Sequence, residues 1–263
     1  MASVASKGQL MTQRITRFLL PAIVPALLVA LWWMASAGST SIFFPPLAKI
    51  WQRFHELWIF DLVGEHVVSS LNSVLIGLGI SIVLGVGLGI VLGLNDAIAT
   101  AVGPLLQFMR YLPAVAMLPL AIQLMGIGPD MRVLIVVLGA LWPVLLNTVD
   151  GVRGVHPALV DVAKSNRLRP IDWVVRVVVP SASPQIFAGI RASLAVSVIL
   201  MFASELMGAS QGIGYFILET QRQFSLPEMW SGMILLGVIG YLLNVILLLV
   251  ERFALDWHRE SRS

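Results

Sequence analysis

A chain of 263 residues with 58% hydrophobic and only 12% charged side chains cannot cover the surface of a soluble protein, because soluble domains carry about 25% charged residues. It contains no cysteine, which excludes disulfides, thiolate metal sites and a thiol nucleophile. The net charge of +3 comes from bases in short segments between apolar runs, which excludes a nucleic-acid surface and predicts a protein of the lipid bilayer.

Six runs of the sequence are apolar enough to cross a bilayer as helices, which takes about 20 residues each. They cover residues 18–36, 68–94, 104–125, 132–150, 185–207 and 230–251. The sequence therefore predicts an all-α, polytopic membrane protein with six transmembrane helices, forming one domain over residues 1–263. The predicted tails are residues 1–17 and 252–263. The longest predicted loop, residues 151–184, is named the central loop.

The first run has two interpretations. Bases precede it at positions 7, 14 and 17, and the residues at 35–37, Ala-Ser-Ala, resemble the cleavage site of a signal peptide. The apolar run is longer than the roughly 7–15 residues of a signal core, which favours an uncleaved anchor.

Two segments are predicted on the side of the membrane opposite the central loop. Residues 47–58 carry apolar side chains in a helical stripe, and Pro45 and Pro46 suit the start of a helix. This helix is predicted to lie along the membrane surface, with its polar face either solvated or docked to a partner. The second segment, residues 208–229, is expected to bend at its glycines.

Small residues recur every four positions along the second run: Gly77, Ser81, Gly85, Gly89 and Gly93. This set is named the small-residue stripe. Lipid offers little hydrophobic drive for helix pairing, so close backbone approach has to hold such helices together. We interpret the stripe as a packing face between helices. A face that slides during gating is the alternative.

The central loop contains a charged segment, DVAKSNRLRPIDWVVRVVVP, at residues 161–180. Prolines that suit the starts and ends of helices punctuate the loop: Pro157, Pro170, Pro180 and Pro184. The first proline predicts a short helix that ends near Asn166 with a left-handed cap, and the second predicts another helix, which the last two prolines end. The result is a helix–turn–helix, apolar on one side and charged on the other, suited to docking into another protein.

Lysine and arginine are distributed unequally between the two sides. The termini and the central loop hold eleven: Lys7, Arg14, Arg17, Arg153, Lys164, Arg167, Arg169, Arg176, Arg252, Arg259 and Arg262. The opposite loops hold four: Lys49, Arg53, Arg132 and Arg222. Because cytoplasmic loops carry the excess of Lys and Arg, both termini and the central loop are predicted to be cytoplasmic.

Four polar residues within the apolar runs are candidates to line a translocation path: Arg110, Gln123, Arg191 and Glu205. Ionisable groups in a span are costly, which favours a functional role. A structural role is the alternative, because Arg191 and Glu205 lie near helix ends, from which they can reach the membrane surface. The sequence contains no HExxH, G-x-S-x-G or GxxxxGK[ST] motif, so it predicts no catalytic residue, no metal site and no cofactor.

The charged segment resembles the cytoplasmic EAA loop of permease subunits of bacterial ABC importers. That loop runs E-A-A, a glycine, and then I-x-L-P. Here DVA at 161–163 matches its start and VVVP at 177–180 its end, while Arg167 occupies the glycine position and Asn166 is expected to supply the bend. Further stretches resemble the subgroup that imports nitrate, taurine and alkanesulfonates: SLNSVLIG (70–77), RYLPAVAMLPLAIQLMGIG (110–128), ASELMGASQGIGYFI (203–217) and ERFALDWHRE (251–260).

The resemblance implies a permease of the bacterial inner membrane that lacks its own ATPase and forms the path for a small anionic solute, such as a sulfonate, taurine or nitrate. The implied partners, besides membrane lipid, are a second permease copy in a homodimer, two ATP-binding subunits and an extracytoplasmic solute-binding protein. The resemblance assigns ATPase coupling to residues of the central loop: Asp161, Val162, Ala163, Lys164, Asn166, Arg167, Leu168 and Pro180.

A stand-alone secondary transporter is the alternative function. It would need an ion-coupling site at the midplane, usually with broken helices or inverted repeats, and the sequence shows neither clearly. An intramembrane enzyme would need catalytic motifs that the sequence lacks. Co-purification with an ATPase separates the importer from the secondary transporter.

Overall fold

In a computed structural model, which describes residues 23–59 and 62–256, every regular element is helical. The helices are α1 (Ile23–Ser36), α2 (Leu47–Trp58), α3 (Val68–Leu94), α4 (Asp96–Tyr111), α5 (Leu118–Met125), α6 (Pro129–Arg153), α7 (Pro157–Ser165), α8 (Pro170–Trp173), α9 (Val179–Gly208), α10 (Ile213–Arg222) and α11 (Leu226–Ala254). A π-helical turn over Val63–Val67 leads into α3, and another over Val174–Val178 joins α8 to α9. A 3-10 turn over Ala114–Met117 precedes α5.

Four continuous helical runs in this part of the chain are long and apolar enough to cross a membrane. They are Val63–Leu94, Pro129–Arg153, Pro170–Met207 and Leu226–Ala254. The shortest of them has 25 residues, which rise about 37 Å and exceed the roughly 30 Å of a hydrocarbon core. Four of the six predicted spans lie within these runs.

The predicted span 104–125 is not one continuous helix, and this expectation was wrong. The chain bends by 83° between α4 and the segment Ala114–Met125. Leu112 precedes Pro113 and is extended, with ψ 120°, because the proline ring disfavours helical geometry in the residue before it. The pair counts as a fifth span if both arms together cross the membrane.

The first predicted span lies partly outside the described residues, since 18–22 are not among them. Its described part, α1, has 14 residues and rises about 21 Å, which is shorter than a hydrocarbon core. The sixth span therefore stays a prediction.

The core forms where α6 lies between α3 and α9. The small-residue stripe lies on the face of α3 that contacts α6. A methyl group at Gly89 would lie 2.5 Å from Thr148 Cβ, and one at Gly85 would lie 2.8 Å from Val144 Cβ. On the other side of α6, a methyl group at Gly189 would lie 2.8 Å from the Pro143 carbonyl oxygen. Glycine thus permits close backbone approach on both faces of α6.

The second helix of the central loop was predicted to end at Pro180 and Pro184, but it does not end there. It continues through α9, so that residues 170–207 form one helical run of 38 residues. The π-helical turn just before Pro180 accommodates the missing backbone donor of that proline. Pro184 also leaves the Pro180 carbonyl without its helical donor, and the Ser183 hydroxyl donates to that oxygen instead, at 2.7 Å.

Helix α2 packs against α11. The Trp58 indole donates to Ser231 Oγ at 3.1 Å, and Arg53 forms an ion pair with Glu228 at 3.1 Å. On the exposed face of α2, hydrogen bonds from Gln52 and Arg53 hold the pKa of Glu56 below its ordinary value. The helix is therefore fixed to the end of α11 that lies far from the central loop.

Candidate functional site

Helix α7 presents an exposed face with both aliphatic and charged side chains. Val162 is 58% exposed and Leu159 is 42% exposed, and their spacing of three residues places them on one side of the helix. Asp161 and Lys164 are also exposed beside them. A short helix with this mixed surface is suited to binding another protein.

Ala163 does not belong to that exposed face. Its side chain is only 7% exposed, so it packs within this chain. The first constraint on the size of residue 163 is the fold of the central loop itself.

The turn after α7 is closed by two backbone hydrogen bonds. Leu168 N–H donates to the Ala163 carbonyl at 3.1 Å, and Arg167 N–H donates to the Lys164 carbonyl at 3.1 Å. These bonds define a Schellman motif, in which the residue after the cap is left-handed and is usually glycine.

Arg167 is the left-handed residue of this motif, with φ 49°. The expected left-handed residue, Asn166, instead has φ −85° and donates from its side chain to the Val162 carbonyl at 2.8 Å. Residue 167, where the EAA pattern has glycine, is thus the residue whose left-handed backbone glycine adopts with the least strain. An arginine there carries a backbone strain of about 1 kcal/mol.

Glu205 lies in a buried polar cluster on the side of the molecule opposite the central loop. Its side chain is 1% exposed and forms an ion pair with Arg132 at 3.1 Å. Ser70 Oγ donates to the same carboxylate at 2.7 Å, and Gly214 N–H donates to it at 2.8 Å. The expectation that Glu205 reaches the membrane surface was wrong.

The segment between α9 and α10 wraps around this carboxylate. Arg132 donates to the Gln211 carbonyl at 3.3 Å, and Gly212 N–H donates to His66 Nδ1 at 3.2 Å. A side chain at Gly212 would collide with the Glu205 carboxylate, and the φ of 120° at this residue also favours glycine. The cluster therefore holds α3, α6, α9 and α10 together, and its role is to stabilise the fold.

Sequence reasoning missed Arg132, Ser70 and His66 as members of this cluster. Arg132 was counted only as a loop charge. One signal was available, since Arg132 and Glu205 are opposite charges at the ends of two runs on the same predicted side. Their contact became visible only with the packing of α6 against α9.

Two further path candidates lie at exposed positions. Arg191 pairs with Glu251 at the end of the molecule nearest the central loop, which joins α9 to α11. Gln123 is exposed on α5. The structure does not bring Gln123, Arg191 and Glu205 together.

Arg110, the remaining path candidate, is also exposed, and it lines a cleft formed by α4 and α6. Two adjoining cavities, of about 210 and 370 Å³, share Arg110, Trp142 and Leu146 in their walls. Trp142 is the fourteenth of the 25 residues of α6, so the shared part of the cleft lies near the middle of that helix. A charge at the centre of a span costs about 2.5–3.5 kcal/mol on insertion scales, which makes this position unusual.

Comparison with known proteins identifies the family. Residues 81–254 match the family described as "Binding-protein-dependent transport system inner membrane component". The chain belongs to this family. The resemblance to permease subunits of ABC importers is thereby confirmed, and the permease is a component of an inner membrane.

Curated relatives refine the subgroup. Over 244 residues the permease is 33% identical to SsuC of Escherichia coli, whose name assigns it to aliphatic sulfonates transport. The match covers 90% of this chain and 91% of that protein. This chain is also 27% identical to the bicarbonate transport system permease protein CmpB of Synechococcus elongatus, and that match covers 92% of this chain and 91% of CmpB. The nitrate, taurine and sulfonate subgroup is therefore confirmed.

Among solved structures, the permease is similar to a chain of the inward-facing MetNI methionine ABC transporter. The TM-score is 0.61 at 18% sequence identity, and the match covers 71% of this chain and 93% of that chain. This similarity concerns the fold alone, and it supports a polytopic helical membrane fold.

Proposed function

We propose that this permease forms the membrane path of an ATP-driven importer for a small anion, and that α7 is the element that couples it to ATP hydrolysis. The observation that carries the proposal is the exposed face of α7, which lies just before the 38-residue helical run 170–207 in the chain. A force on α7 passes through the turn that follows it into this helical run, which contains most of α9. Because α9 packs closely against α6, the force then reaches α6.

The proposed docking face consists of exposed central-loop residues: Asp161, Val162, Lys164 and Leu168. Ala163, Asn166, Arg167 and Pro180 act on its shape rather than by contact. Ala163 packs inside the loop, Asn166 and Arg167 form the turn, and Pro180 lies where the run enters α9. Val162 and Leu168 supply the apolar anchors that a protein interface requires.

The proposed assembly contains two copies of the permease, two ATP-binding subunits and an extracytoplasmic solute-binding protein. In it the central loop and both termini are cytoplasmic, which the excess of eleven bases over four supports. Reporter fusions after residue 165 should give a cytoplasmic signal, and a fusion near residue 55 should give an outside signal.

The proposed solute is a small anion. SsuC is named for sulfonates and CmpB for bicarbonate, and both of these solutes are anionic. The test is reconstitution of the permease with its ATP-binding subunits and its solute-binding protein in proteoliposomes. Radiolabelled ethanesulfonate should accumulate only with ATP and the binding protein. Accumulation without ATP would instead support the secondary transporter.

A further inference from the structure

The cleft between α4 and α6 runs along much of the length of α6. Its walls extend from Arg153, at one end of that helix, to Leu138, and the fifteen steps between them correspond to about 22 Å. Leu92 of α3 and Val196 of α9 also contribute to the walls. The cleft therefore connects the central-loop end of the molecule with the middle of the helical core.

The charge in the cleft has one sign. Within the described part of the chain, its walls contain Arg110, Arg153 and Gln107 but no Asp or Glu. Arg153 already pairs with the exposed Asp96, at 3.0 Å. None of the ion pairs among the described residues includes Arg110. The cleft thus holds a cation at mid-helix depth whose charge no carboxylate among the described residues neutralises.

The Arg110 side chain is held by its neighbour. Its Nη2 donates to the Tyr111 hydroxyl at 3.1 Å, and its guanidinium carbon lies 5.0 Å from the centre of the Tyr111 ring. These contacts orient the guanidinium without neutralising it, and its other donors remain for a ligand. The planar fork of donors matches the oxygens of a small oxyanion.

The rest of the cleft wall is apolar. On α6 the wall consists of Trp142, Leu145 and Leu146. On α4, Leu106 lies one turn before Arg110. A ligand that satisfies both features carries an oxyanion head and a short aliphatic body. With Arg153 paired to Asp96, Arg110 alone would bind an anion in this cleft, weakly enough to release it, as a transport path requires.

We infer that Arg110 is the anion-selecting residue of the translocation path, where it transiently binds the oxyanion head of a short-chain organic anion while the apolar walls of the cleft contact the body. The inference rests on the proposed function. It adds the position of the selecting charge and the chemical class of the solute.

The test uses the whole importer in proteoliposomes and ethanesulfonate as the probe. Arg110→Gln should lower uptake about tenfold or more, because it removes the charge-assisted hydrogen bonds to the anion. ATP hydrolysis stimulated by the loaded binding protein should stay within about twofold of the unmodified importer. Arg110→Lys, which keeps the charge but loses the planar fork, should give an intermediate rate.

The absence of cysteine permits a second arm, because Arg110→Cys would be the single thiol of this chain. Its uptake should be low. Modification with a thiosulfonate that adds an ethylammonium group should restore much of it, whereas one that adds an ethylsulfonate group should not. The unsubstituted importer, treated in the same way, controls for thiols of the partner subunits.

The outcomes separate the two proposals. If the unsubstituted importer does not accumulate ethanesulfonate, the proposed function and this inference both fail. If it does, and Arg110→Gln transports equally well or the cysteine variant gains nothing from the ammonium group, only the role of Arg110 is overturned. Failure of Arg110→Gln and Arg110→Cys to assemble would show that Arg110 supports the fold, and would also overturn the inference.

Discussion

Glu205 and Arg132 lie 73 positions apart in the sequence, yet their side chains form an ion pair of 3.1 Å that is almost completely buried. The carboxylate of this pair also accepts from Ser70 and Gly214. A buried charge that loses its partner is strongly destabilising, so the cluster has clear consequences for substitution.

Glu205→Gln is expected to destabilise the permease by roughly 3 kcal/mol, because it leaves the Arg132 guanidinium buried without a counter-charge. Thermal unfolding of the purified protein in detergent measures the effect. Adding Arg132→Met should recover part of the loss. Glu219→Gln is the matched control, since Glu219 accepts from Gln223 near the surface, and it should change stability by less than about 0.5 kcal/mol. Equal effects of the two glutamine substitutions would contradict the assignment.

The stripe on α3 offers a comparison within one helix. Gly89→Ala should cost about 1–3 kcal/mol, because the new methyl group would lie 2.5 Å from Thr148 Cβ and 3.0 Å from the Leu145 carbonyl oxygen. Gly87→Ala has nothing within 4 Å and should be neutral, or stabilising by up to about 1 kcal/mol through helix propensity. Melting temperature and yield of monodisperse protein report both. If the two variants behave alike, the stripe does not determine packing.

Periodic and local features were predictable from the sequence, whereas long-range contacts were not. The stripe is visible because its spacing matches the turn of a helix. The break at Leu112 also has a local signal in Pro113, but the surrounding apolar run obscured it. Pro180 led to the opposite error. It predicted a helix end, but a π-helical turn accommodates this proline and the helix continues. The ion pair between Arg132 and Glu205 depends on how α6 packs against α9, which no local pattern reveals.

Arg167 offers a test of backbone strain. Arg167→Gly should stabilise the turn after α7 by about 1 kcal/mol, because glycine adopts φ 49° without a steric penalty. Arg167→Val should destabilise it, since a β-branched residue tolerates this conformation poorly. Hydrogen exchange at the Arg167 and Leu168 amides, both of which are bonded in the turn, should slow in the first variant and accelerate in the second. The reverse order would mean that residue 167 is not left-handed.

The coupling role of α7 is tested with a residue that this chain does not bury. Val162→Glu places a charge in the middle of the exposed face, so insertion and stability should be preserved while an apolar contact with the partner is lost. We expect normal membrane abundance, co-purification of the ATP-binding subunit reduced about tenfold, and little solute uptake.

Two comparisons make the result of Val162→Glu interpretable. Lys49→Glu changes an exposed charge on α2 and should leave ATPase association intact. Ala163→Glu forces a carboxylate into the loop's own packing, so it should lower stability as well as association. If Val162→Glu binds the ATP-binding subunit and transports as well as the unsubstituted permease does, the exposed face of α7 is a solvated surface. The coupling contact must then lie elsewhere on the central loop.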